Sequence, residues 1–154
     1  MQRFLIFALL IVAGAAAAFA QQSPFKNKGI ERVMAQIVEA YDAENLGSLD
    51  AARLIRGRVR IVIGFMSSSS EEEPPDEVAR FRSFGAAERW LKKRNQKYAT
   101  SFGRAQAFTG CSKGACGFEQ SSGILHNQLY LSEIRYGYRQ GRPFIKTIYF
   151  LNSD

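Results

Sequence analysis

The sequence predicts an α+β domain, with one curved antiparallel sheet of about five strands and two helices packed on one face. Three observations point there. Apolar residues fall at helical spacing in residues 29–44, and the pattern switches to alternation in residues 56–65. Two long runs rich in Tyr, Ile, Phe and Leu then close the chain.

Ahead of these elements, residues 1–20 of the 154 read as a signal peptide that is removed. The positive start Met1-Gln2-Arg3 leads into an apolar run ending in Ala18-Phe19-Ala20, whose small residues suit cleavage after Ala20. The run is short for a membrane span and no Lys or Arg follows it closely, which argues against a retained anchor. The expected location is periplasmic or extracellular. Residues 21–28 form a loose polar lead-in, and residues 29–154 are long enough for a single domain with its own core.

Ile30, Val33, Met34, Ile37, Val38 and Tyr41 make one helical stripe, with Glu31, Arg32, Gln36 and Glu39 on the opposite side. A helix over residues 29–44 follows, ending near Asn45-Leu46-Gly47, and Ser48 or Asp50 can cap one further short turn. In residues 56–65, Val59, Ile61, Ile63 and Phe65 share one face while Arg56, Arg58 and Arg60 take the other, as a half-buried strand requires. Residues 66–77 hold four serines, an acidic run and Pro74-Pro75, the composition of a mobile loop.

A second strand over residues 77–83 turns Ala79 and Phe81 inward and Arg80 and Arg82 outward. Ser83 then caps a helix beginning near Phe84. Its apolar side is Phe84, Ala87, Leu91 and Tyr98, helped by Trp90, while Arg89, Lys93 and Lys97 recur at steps of four on the wet side. Residues 102–109 and 116–120 read as strands flanking a tight turn. Residues 125–138 and 143–151 read as a hairpin around Arg139-Gln140-Gly141-Arg142. A two-residue loop at Gln140-Gly141 sets Arg135 opposite Lys146, which is unfavourable unless Glu133 reaches across.

Export makes Cys111 and Cys116 a structural disulfide, closing a short turn between Gly110 and Gly117. Their spacing is wider than a redox pair, and no further Cys or His pair completes a metal shell. His126, the one histidine, has no nucleophile motif near it and reads as a structural or surface residue. No catalytic residue, metal or cofactor is expected.

Charge is the informative feature. The chain has a formal balance of +7, or +6 once the leader is gone, and residues 80–104 alone hold +7, directly after −5 in residues 66–79. Pairing the first two strands crowds Arg56, Arg58, Arg60, Arg80 and Arg82 onto one face, where like charges call for a neutraliser, either an external polyanion or the acidic loop folding back. The second helix adds Arg89, Lys93 and Lys97, and the terminal hairpin adds Tyr136 and Tyr138 among Arg135, Arg139 and Arg142. The function this implies is a small exported, non-catalytic binding or interaction domain with a cationic, aromatic-bearing surface. Its expected partner is an anionic polymer, an envelope component or an acidic membrane surface; intracellular nucleic acid is not expected. Two other readings stand beside it. One is an exported enzyme with an unfamiliar pocket using His126 or a carboxylate such as Glu133. The other is an assembly subunit that pairs with a protein partner through its C-terminal strands.

Overall fold

The computed structural model describes residues 28–66, 76–119 and 126–153. The expected leader, the lead-in before residue 28 and nearly all of the expected acidic loop lie outside the described residues.

The apolar stripe of the first helix is realised as α1 (Lys28–Asp42), which buries Ile30, Val33, Met34, Ile37 and Tyr41. The Tyr41 hydroxyl donates to the Leu129 carbonyl, and burial pushes the phenol's pKa well above its ordinary value. The chain leaves α1 through Glu44 in the left-handed region, at φ 51°. A 3₁₀ helix (Leu46–Ala52) follows and buries Leu46 and Leu49. The second long helix, α2 (Phe84–Tyr98), is capped as its sequence implies, with the Ala86 N–H donating to Ser83 Oγ at 3.1 Å. Asp50 caps it too, from the 3₁₀ helix: its two carboxylate oxygens accept from Phe84 N at 2.6 Å and Gly85 N at 3.0 Å. The residue that reads as a local cap thus works 34 positions downstream.

The sheet has seven strands: β1 (Ile55–Met66), β2 (Glu77–Phe81), β3 (Ser101–Phe102), β4 (Phe108–Ser112), β5 (Ala115–Phe118), β6 (Gln128–Arg139) and β7 (Arg142–Ser153). Their order is β2-β1-β7-β6-β5-β4, with β3 pairing β6 beside β5. Among the described residues the expected count of about five strands is therefore low, and the 3₁₀ helix makes three helices rather than two. The sheet is mostly antiparallel, but β1–β7 and β3–β6 run parallel. Both parallel pairs join strands separated by long connections, which allow the chain to return in the same direction. The expected strand over residues 102–109 is split, because Gly103 carries the backbone against the Tyr130 ring. A Cβ at Gly103 would sit 2.6 Å from that ring. Ala105 N then donates to Asp42 Oδ1 at 2.7 Å, holding the crossing segment to the end of α1.

One face of the sheet makes the core. Val59, Ile61, Ile63, Leu129, Leu131, Ile134, Ile145, Ile148 and Phe150 pack with the apolar sides of α1, the 3₁₀ helix and α2. Both long helices lie on this face, as the sequence implies. At the sheet's β2 margin, Arg94 of α2 is only 6% exposed, with Nε and Nη2 donating to Glu77 Oε1 at 3.1 and 2.9 Å.

Candidate anion-binding face

No helix among the described residues packs on the opposite face of the sheet. Which residues it presents follows from register. Arg60 pairs Arg80 and also Thr147; Thr147 pairs Arg135; Arg135 pairs Ala115. Side chains directly across neighbouring strands point the same way. Arg80, Arg60, Thr147 and Arg135 therefore form one row across β2, β1, β7 and β6. The adjoining row is Val78, Val62, Tyr149 and Glu133.

The row depends on two bulges in the β6–β7 hairpin. Gln140 and Gly141 form a two-residue turn with φ values of 50° and 74°, and the strands leave it with Arg139 opposite Arg142. Uninterrupted, that register would bring Arg135 against Lys146, as expected from the sequence. Instead β7 carries an extra residue at Lys146, so Arg135 pairs Thr147, and β6 restores the register with an extra residue at Ser132. Glu133 does reach across to Arg135, accepting from Nε at 2.7 Å. The same guanidinium lies 4.8 Å from the centre of the Tyr149 ring.

Displaced Lys146 lies over the Phe144 ring, with Nζ 5.8 Å from its centre, and Arg56 Cζ lies at 5.8 Å from the same centre. A Cβ at Gly137 would meet both Phe144 and Lys146, within 2.9 Å, so that glycine makes room for them. Beside the basic row, a shallow groove of about 230 Å³ runs between Asp76, Ser132, Glu133, Arg135 and Tyr149 over a floor of Val62, Gly64 and Leu151. Arg60 and Arg80 are exposed and face each other, and neither belongs to an ion pair among the described residues.

The other residues singled out in the sequence lie apart. Arg58 and Arg82 are exposed beside the row, at the end of the β1–β2 pair nearest α2's N-terminus. Arg89, Lys93 and Lys97 are exposed on the solvent side of α2, with the helical layer and the sheet between them and Arg60. Tyr136 and Tyr138 share the helix-side face of β6, edge to face with ring centres 5.6 Å apart, and Tyr136 packs against the core. The structure thus divides the expected surface into two. It brings Arg135 of the expected hairpin surface into the row with Arg60 and adds Phe144, Lys146 and Tyr149 beside it. The bulge at Lys146 is what sets Arg135 opposite Thr147 and so in line with Arg60.

Cys111 and Cys116 stand directly opposite on β4 and β5 and form the disulfide. A two-residue turn at Lys113-Gly114, with φ values of 49° and 83°, closes that hairpin. His126 is exposed in the turn leading into β6. The terminal strands β6 and β7 lie in the interior of the sheet order. β7 is paired on both sides along most of its length, so it offers no long open edge to a second chain. No group of three or more His, Cys, Asp or Glu among the described residues is arranged to hold a metal ion. The chain matches no protein-family model, no curated protein and no solved structure.

Proposed function

We propose that this protein is an exported, non-catalytic binding domain that holds an anionic polymer on the face of its sheet opposite α1 and α2. The observation that carries the reading is the row of Arg80, Arg60 and Arg135, in register across β2, β1 and β6. Two arginines directly opposite each other on an antiparallel pair repel, and a run of anionic groups laid over them removes that cost while gaining charge-assisted hydrogen bonds. Tyr149 and Phe144 beside the row hold the Arg135, Arg56 and Lys146 cations over their rings, which keeps those charges on this face. The disulfide and the signal-peptide-like leader support an oxidising compartment outside the cytosol.

Chromatography on a heparin-coupled matrix tests this. Wild-type protein is expected to be retained and to elute with salt, and the Arg60→Glu/Arg80→Glu double variant to elute far earlier. Lys93→Glu/Lys97→Glu changes net charge by the same amount on the far side of the molecule and is expected to elute near wild type. Equal shifts for the two pairs, or no shift for Arg60 and Arg80, would refute the face.

A further inference from the structure

Apart from that face, we infer that the tip of the β6–β7 hairpin docks the protein on an acidic lipid bilayer, with Tyr138 and Pro143 entering the headgroup layer and Arg139 and Arg142 meeting its phosphates.

The first observation is shape. The β1–β7 pair nearest the turn is Ile55–Ile145, and the β5–β6 pair nearest it is Ala115–Arg135. Among the described residues, Gly137–Phe144, Tyr138–Pro143 and Arg139–Arg142 pair only with each other. The hairpin therefore runs on past both neighbouring strands by three residue pairs, about 10 Å at the ordinary strand rise. A narrow ribbon of this kind is convex. It meets a flat surface with its tip, where a polymer chain has little to lie against.

The second is charge. Residues 136–146 hold three cations, Arg139, Arg142 and Lys146, and no Asp or Glu. Lys113 joins them, because Tyr136 N donates to Gly114 O at 2.8 Å in the adjacent β4–β5 turn, and Arg56 reaches the same end over the Phe144 ring. All five are exposed, and none belongs to an ion pair among the described residues. Arg139 and Arg142 stand directly opposite each other, a cost that a layer of phosphates removes. The arginine row on the sheet is different: Asp76 and Glu133 line the groove beside it and repel a dense plane of anions.

The third separates a bilayer from other anions. Tyr138 is 42% exposed and shares the helix-side face of the ribbon with Pro143, while Phe144, Arg139 and Arg142 take the other side. The Tyr136 ring braces Tyr138 edge to face. Apolar groups on one side and guanidinium groups on the other are what an element lying in the interface carries. The ring side sinks to the acyl boundary, and the long cationic side chains turn back to the phosphates. A soluble polyanion needs only the cations and offers the ring no apolar layer.

Co-sedimentation of the purified protein with vesicles tests this. It is expected to bind vesicles of phosphatidylcholine with phosphatidylglycerol, and not vesicles of phosphatidylcholine alone. Arg139→Glu/Arg142→Glu is expected to abolish that binding while eluting from heparin near wild type. Tyr138→Ser keeps every charge and is expected to weaken vesicle binding about fivefold, and Tyr138→Phe to retain it. Vesicle binding that Tyr138→Ser leaves intact, or that Arg60→Glu/Arg80→Glu abolishes equally, overturns the tip. A heparin shift for Arg139→Glu/Arg142→Glu as large as that for Arg60→Glu/Arg80→Glu makes the tip one more polyanion contact and overturns it too. Failure to bind either vesicle overturns it outright, and leaves the arginine face to stand or fall on its own chromatography.

Discussion

Arg60 of β1 stands directly opposite Arg80 of β2, two exposed cations on the face of the sheet opposite α1 and α2. Like charges at directly paired positions destabilise a sheet, so this pair is a cost in the free protein.

Replacing one member with an acid should turn that cost into a gain. Arg80→Glu is expected to raise the stability by about 0.5 kcal/mol and the melting temperature by about 2 °C at low salt. The gain should shrink in 1 M salt, where surface charges are screened. Retention on an anionic matrix should fall in the same variant. Thermal unfolding at two salt concentrations reads the first effect; a loss of stability at low salt would contradict the pairing.

Arg94 and Glu77 form a second relationship across the fold, an ion pair at 2.9 Å between α2 and the first residue of β2. The two partners are unequal: the Arg94 side chain is 5% exposed and that of Glu77 is 28% exposed. Glu77→Ala strands a guanidinium in the interior and is expected to cost about 2 kcal/mol. Arg94→Met leaves only a carboxylate that water can reach, beside an apolar chain that fills the space, and should cost less. Urea unfolding midpoints at constant slope give the comparison. A larger loss for Arg94→Met would show that its contacts with the Tyr98 and Phe65 rings, 4.9 and 5.8 Å from the guanidinium carbon, outweigh the ion pair.

Glu88 locks the start of α2 to the 3₁₀ helix, accepting from Gly47 N at 2.7 Å and pairing with Lys92 at 2.6 Å. Burial works to raise its pKa, but the bonds from Lys92 and Gly47 outweigh it and hold the carboxyl below its ordinary value. A carboxyl depressed on folding adds stability that is complete above its unfolded value, near about 4.3, and is lost as pH falls through the lower folded value. Glu88→Gln is therefore expected to be less stable than wild type at pH 7 and to approach it as the pH drops below that window. Parallel stability curves between pH 2 and pH 7 would rule the contribution out.

Much of this fold is legible in residue spacing. The α1 stripe, the alternation of β1, the Ser83 cap and the Gln140-Gly141 turn all arise from contacts a few residues apart, so local pattern suffices. The stripe of α2 misleads in one place. Arg94 and Asn95 are polar yet buried, because one meets Glu77 of β2 and the other is enclosed, without a hydrogen-bond partner for its carboxamide among the described residues. Asp50 misleads likewise, since its partners at Phe84 and Gly85 arrive only when the 3₁₀ helix docks on α2.

The basic segments, the Cys111–Cys116 pair and the alternating strands follow from the order of amino acids alone, since charge and period are properties of a local stretch. Which cations share a surface was decided by tertiary structure. Strand order and the bulges at Lys146 and Ser132 bring Arg135 into line with Arg60 and Arg80, while docking of α2 on the other side carries Lys93 and Lys97 away. A one-residue slip in register turns every side chain of a strand to the opposite face, and no local pattern fixes a slip that long-range packing selects.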